Sequence, residues 1–479
     1  MVFGNIRQDA LQKVRSTCLA TLAVVVAGVF APAARAETLA DALVSAYAQS
    51  GLLTQNRALL RAADEDVAAA GAALEPVLRW TASVTQNIGR GQSSVLLGVQ
   101  NTDSLLASGS LIAELLLYDG GATALGIDVA KETVLATRQS LIGVEQQVLL
   151  RGVQAYMGVI EATEFVQLRQ NNVRVLTQEL RAAQNRFEVG EVTRTDVALA
   201  EAQLAEARSG LATAQGNLAI SVEEYRNIIG RSPGRLSPPP QLPSLDGNID
   251  AAKALAVRVH PDLRAVQYRV SAAELAIKRA EAAKRPTVAL QGALTMSDNF
   301  DSSNFSTGAR IGINAGGTIY QGGARSSVVR AAQARRDAER GNLHVVRNNI
   351  QQNVGNAYAQ LSSARASITA SEQQIRAARI AFNGVREEAT LGARTTLDVL
   401  DAEQSLLDAE AARISAQTLV YNASYAVLAA TGRLTARDLR LPVQLYDVNE
   451  YYNLVKDSPT KRSEQGAQLD RVLKRLQKE

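Results

Sequence analysis

The chain has 479 residues, 46% of them hydrophobic but only 4% aromatic, and a formal charge of +4. Residues 1–36 hold four basic groups and one acid, so taking their +3 from +4 leaves +1 on the rest, which gives no electrostatic case for a nucleic-acid partner. The only cysteine, Cys18, lies in that first segment, which excludes disulfides, thiol chemistry and cysteine-held metal from a chain lacking it.

Residues 1–36 read as a signal peptide. Arg7, Lys13 and Arg15 precede an apolar run from Leu19 to Phe30 that is too short to span a bilayer comfortably, and Ala34-Arg35-Ala36 supplies the small residues of a cleavage site. Beyond it, no window approaches the roughly 20 apolar residues of a spanning helix. Membrane entry therefore requires a β-barrel.

Residues 37–229 form a first repeat and 249–432 a second, joined by a proline-rich linker, 230–248. The offset is 202: "LYDGGA" (Leu117–Ala122) recurs as "IYQGGA" (Ile319–Ala324), and Gly190 and Asp196 recur as Gly392 and Asp398. Upstream it becomes 210, pairing Pro76 with Pro286, so the first half carries eight extra residues before Tyr118, expected in a surface loop.

Each repeat opens with helix, which Pro76 or Pro286 stops at a helix-to-strand junction. A period-two segment follows, predicting hairpins over 77–118 and 287–320. Arg79, Thr81, Ser83, Thr85 and Asn87 alternate with Leu78, Trp80, Ala82, Val84 and Ile88; Leu111, Ala113, Leu115 and Leu117 with Ser110 and Glu114. Likewise Val288, Leu290, Leu294 and Met296 oppose Thr287, Gln291 and Thr295, and Ala309, Ile311, Ile313 and Ile319 oppose Arg310, Asn314 and Thr318. Four strands of about ten residues or slightly more, wet on one face and oily on the other, fit a tilted transmembrane sheet. Trp80, Tyr118 and Tyr320 stand near strand ends, as interfacial aromatics do. Four strands cannot close a barrel and open edges are not tolerated in lipid, so several copies must pool them; three copies give twelve.

Gly120-Gly121 and Gly322-Gly323 mark strand-to-helix junctions, where the chain must turn without a side chain in the way. Long helices then run over 121–188 and 323–388, each about 100 Å at 1.5 Å per residue. Gly190 and Gly392 end them, and Thr193 to Asp196 and Thr395 to Asp398 read as capping boxes opening return helices over 194–229 and 396–431. The remaining 433–479 is a peripheral segment expected to wrap the outside and then lose order.

These features together resemble the TolC family of outer membrane efflux and secretion channels: the two-fold repeat, the "YDGG" and "YQGG" junctions, "HPDLRA" (His260–Ala265) after the linker, and the "VG…TD" and "LG…TTLDVLDAEQ" tips. The resemblance implies a mainly α fold with a membrane β-barrel portion, its long antiparallel helices forming a coiled-coil periplasmic tube below a trimeric, twelve-stranded outer-membrane barrel. It implies a homotrimer in a Gram-negative outer membrane, working with a periplasmic adaptor protein and an inner-membrane transporter of the ABC or RND class, as a passive conduit in efflux or type I secretion. It also implies a gate at the periplasmic tips, where Thr195 and Asp196 would face Arg394, and Asp398 and Asp401 would form acidic rings. Asp196 and Asp398 read equally as helix caps. The chain departs from the family at Ala389, where a tyrosine often helps lock the tip.

No catalytic or cofactor site is expected. His260 and His344 lack metal-ligand spacing and read as ordinary helix residues, and "GINAGG" (Gly312–Gly317) lacks the Lys-Ser/Thr of a phosphate loop. The competing reading is a secreted or periplasmic coiled-coil protein without a pore, in which the four segments are soluble hairpins.

Overall fold

The computed structural model describes residues 36–91, 100–245, 247–300, 305–458 and 463–476. Except for Ala36, the expected leader, Cys18 included, lies outside the described residues.

Duplication is visible in element lengths. Helices α1 (Leu39–Gln49) and α2 (Gly51–Ala72) lead into strands β1 (Val77–Gly91) and β2 (Gln100–Tyr118), then α3 (Ala122–Glu188) and α4 (Arg194–Ile229). The second half repeats this as α5 (Ile249–Val259), α6 (Pro261–Ala282), β3 (Thr287–Asn299), β4 (Phe305–Gly316), α7 (Ala324–Thr390) and α8 (Thr396–Ala430). Both long helices, α3 and α7, have 67 residues. Two short helices follow, α9 (Glu450–Val455) and α10 (Glu464–Leu476). No described helix is long and apolar enough to cross a membrane.

The strands form one antiparallel sheet in the order β1-β2-β3-β4. Helix α2 packs on α3, α3 on α6, and α6 on α7. Since α2 runs into β1, β2 into α3, α6 into β3 and β4 into α7, helices and strands stand side by side in the same order. The chain is one continuous wall, sheet above and helices below, and the two return helices pack against α3 and α7.

Register follows the alternation. Leu78 faces Ala113, Trp80 faces Leu111, Leu111 faces Leu294, and Leu290 faces Ile313, so apolar residues meet across all three ladders. On the other face Thr81 and Ser110 hydroxyls lie 2.6 Å apart, those of Ser83 and Ser108 2.8 Å, and Asn314 Nδ2 donates to Gln291 Oε1 at 2.6 Å.

Three expectations need correction. The strands run to 15, 19, 13 and 12 residues, and the first hairpin has fifteen paired rungs against twelve in the second. Most of the eight extra residues therefore extend the ladder instead of a loop, because they find partners across the hairpin. Strand β4 stops at Gly316, short of Thr318, Ile319 and Tyr320: its last pair is with Thr287, and the preceding Pro286 has no N–H to continue the ladder. Gly317 passes so close to Pro286 that a Cβ there would sit 3.2 Å from the proline Cα. His260 is a helix cap, not a helix residue. Pro261 takes the first helical position and holds His260 extended at φ −61°, ψ 127°, where Nδ1 accepts from the Asp262 N–H at 3.2 Å.

The main core surrounds α1 and the middle of α3. Leu39, Leu43, Leu149, Val153, Tyr156, Tyr225 and Leu434 are buried together. The Tyr156 hydroxyl lies 2.7 Å from the Ser237 carbonyl oxygen and 3.1 Å from that of Glu37, and Glu37 exchanges backbone hydrogen bonds with Arg235 and Ser237. The backbone just ahead of α1 is thereby fixed to the linker. The segment after Arg433 follows α2: Tyr446 stacks on Arg57, the Tyr451 hydroxyl bonds Glu65 Oε1 at 2.6 Å, and Ser458 Oγ donates to the Ala68 carbonyl.

Candidate functional site

Two regions carry the candidate site, the sheet with its junctions and the helical tips. On the sheet, large apolar side chains stand exposed on one face. Trp80 is 77% exposed, Ile88 80% and Ile311 79%, with Leu78, Val84, Leu294, Met296 and Ile313 also open. Such a continuous apolar surface requires a covering phase. The opposite face carries the hydroxyl and amide pairs and an Arg79–Glu114 ion pair of 2.7 Å.

All four junction glycines have positive φ: 72° and 87° at Gly120 and Gly121, 54° and 81° at Gly322 and Gly323. Gly120 is also sterically required, since a Cβ there would lie 2.7 Å from Arg285 Cβ and 2.9 Å from the Ala282 carbonyl oxygen. Arg285 Nη1 donates to Gly120 O at 3.1 Å, binding the first junction to the end of α6, one residue before Pro286. Asp119, not singled out from the sequence, caps α3: its carboxylate accepts from Gly121 N at 2.8 Å and from Thr123 N at 2.5 Å. The signal was available in Asp-Gly-Gly, a turn-forming order that Gln321 does not reproduce in the second half.

At the tips, both long helices end in the same backbone motif. Gly190 and Gly392 adopt φ 82° and 79°, the Gly190 and Glu191 amides bond the Phe187 and Arg186 carbonyls, and the Gly392 and Ala393 amides bond those of Ala389 and Glu388. Each return helix opens with a closed capping box. Asp196 Oδ2 accepts from Thr193 N at 2.8 Å, and Asp398 Oδ2 from Thr395 N at 2.9 Å. Hydrogen bonds from the Thr193 side chain and backbone hold the Asp196 carboxyl below the ordinary range, and those from Thr395 do the same for Asp398. Thr195 and Asp401 are exposed.

Arg394 and Asp196 form no ion pair within the chain. Arg394 Nε instead meets Glu388 Oε2 at 2.9 Å, because the left-handed turn at Gly392 folds it back over the last turn of α7. Ala389 is buried with Phe382 and Val399, filling the tip with carbon where a tyrosine would bring a hydroxyl.

A polar network above the tips went unnoticed in the sequence. Asn172 of α3 donates to Glu403 Oε1 of α8 at 3.1 Å, Arg386 of α7 pairs with Glu179 of α3 at 3.2 Å, and Arg379 of α7 with Glu410 of α8 at 2.8 Å. Glu403 and Asn172 are buried, and desolvation pushes the Glu403 carboxyl upward. The network ties three helices of one chain together, and its members sit too far apart in sequence for spacing to show it. Among the described residues no His, Cys, Asp and Glu side chains gather into a metal site.

The sequence profile described as outer membrane efflux protein matches residues 42–231 and 254–433. The outer membrane efflux protein BepC of Brucella suis biovar 1 is 36% identical over 429 residues, which are 89% of this chain and 92% of that one. The outer membrane protein TolC of Escherichia coli K12 is 25% identical over 342 residues, 65% of this chain and 68% of that one. Among solved structures, the CmeC outer membrane channel of Campylobacter jejuni superposes with a TM-score of 0.73 at 15% identity, covering 88% of this chain and 90% of its own, and a CusC structure with 0.72 at 18% identity, covering 83% and 92%.

Proposed function

The chain belongs to the outer membrane efflux protein family, and from that premise we propose that three copies close one twelve-stranded barrel and one helical tube, forming a passive export conduit gated at its periplasmic tips. It is an outer membrane export channel with its tube in the periplasm. The observation carrying the trimer is the sheet: four strands, an exposed apolar face, and two open edges at β1 and β4. In hydrocarbon each unpaired backbone group costs several kcal/mol, so β4 of one copy must pair with β1 of the next. Helix α7, which continues the β4 edge, also exposes Val328, Val345 and Ile380, as a wall awaiting a neighbour would.

The energy for transport comes from an inner-membrane transporter of the ABC or RND class, joined through a periplasmic adaptor. At the tips, Thr195, Asp196, Arg394, Asp398 and Asp401 hold the closed state through contacts between copies. What supports this is their shared placement at the two capped turns, with Arg394 able to exchange Glu388 for a neighbouring carboxylate. The four junction glycines and the two junction prolines, Pro76 and Pro286, serve as the fixed collar between barrel and tube.

Mass measurement of the detergent-solubilised protein tests the assembly. Three chains per particle are expected. A monomer recovered in plain buffer would return the chain to the pore-free coiled-coil reading.

A further inference from the structure

The end of the chain climbs α2 toward the sheet. Contacts proceed from Arg57 through Glu65 to Ala68, where Ser458 also crowds Gly71, a Cβ on which would lie 3.2 Å from the Ser458 hydroxyl. Helix α10 then packs Leu469 and Leu473 onto the cluster of Ala68, Tyr451 and Val455. Ala68 lies four residues before the end of α2, and strand β1 begins at Val77. With 1.5 Å per helical residue and at most about 3.3 Å per extended one, the anchor point Ala68 lies within about 23 Å of the first strand residue.

Charge is segregated along α10. Glu464 stands in its first turn and Asp470 midway, while Arg471, Lys474 and Arg475 crowd its end; all five are exposed and without an ion pair among the described residues, and every charge in the last turn and a half is basic. Half-buried Leu469, Val472 and Leu473 make an apolar stripe beside them. With that stripe seated on α2 and α9, the basic end is what α10 presents outward, a surface that suits anionic headgroups.

We propose that α10 lies against the periplasmic leaflet of the outer membrane, with Arg471, Lys474 and Arg475 contacting the phosphates of anionic phospholipids. This rests on the outer-membrane channel reading, since only then does the sheet fix a bilayer above α2. The contact braces the tube from outside, at the level where helix gives way to strand.

Cys18 is the only cysteine of the sequence and falls in the expected leader, so a new cysteine offers a unique label site. A fluorophore on Gln468→Cys, which shares a helix face with Arg471 and Arg475, is placed in nanodiscs containing either brominated phosphatidylglycerol or brominated phosphatidylcholine. Val84→Cys on the sheet serves as reference. Both lipids quench position 84. Position 468 responds preferentially to phosphatidylglycerol, and adding Arg475→Gln lowers that preference about fivefold. Quenching at 84 with none at 468 would overturn the inference and leave the channel standing; no quenching at 84 would overturn the channel reading itself. Equal response at 468 to the two lipids, unchanged by Arg475→Gln, also refutes it.

Discussion

Asp64 of α2 is fully buried, and among the described residues neither carboxylate oxygen has a hydrogen-bond partner. Burial raises its pKa from 3.8 to about 6; the Arg138 charge opposes this and Glu65 adds to it. A carboxyl with a raised folded-state value takes up its proton in the folded state first. Stability therefore increases as pH falls through about 6 and levels off below 3.8, and the full penalty applies above 6. A shift of about two units corresponds to about 3 kcal/mol. Asp64→Asn keeps the shape and removes the ionisation, so it should stabilise the protein by about 3 kcal/mol at pH 8 and by nothing at pH 3.5. Guanidinium unfolding of the detergent-solubilised protein, followed by helical ellipticity across this range, measures both. Destabilisation at pH 8, or an effect that does not change with pH, would refute the reasoning.

Gly120→Ala meets both positive φ and a clash, so it should cost about 2–4 kcal/mol, whereas Gly322→Ala, with open space around it, should cost about 1 kcal/mol; the same unfolding assay ranks them. Neighbouring residues on opposite sheet faces should differ sharply in outer-membrane recovery. Val84→Arg puts a charge into lipid at about 2–4 kcal/mol and depletes assembled protein, while Ser83→Arg on the wet face is tolerated. Arg394→Ser should raise single-channel conductance in a planar bilayer, and conductance equal to the wild type would remove Arg394 from the gate.

What could be read from the sequence was what repeats or alternates. Thr193 and Asp196 signalled a cap because capping is local, and their counterparts at Thr395 and Asp398 doubled the signal. Leu78, Trp80 and Val84 announced a face because a strand has period two. Contacts across distant segments left no such trace. Glu403 is an ordinary acid on a helix until Asn172, 231 positions away, is folded against it. Asp64 stands in a run, Asp64-Glu65-Asp66, that reads as solvated charge, and only the packing of α2 buries it. Strand lengths were underestimated because Gly89, Arg90 and Gly91 break the alternation yet still pair with Thr102, Asn101 and Gln100.

Equal length in α3 and α7 has an evolutionary corollary. Adding one residue to either would lower its tip by 1.5 Å and swing it by about 100°, misaligning every cap and charge beyond that point. Seven residues return the face almost to its starting azimuth, at the expense of about 10 Å. Homologues with taller or shorter tubes should therefore differ by matched heptads in both halves, and an unpaired single-residue indel between Ala122 and Glu188 should be purged.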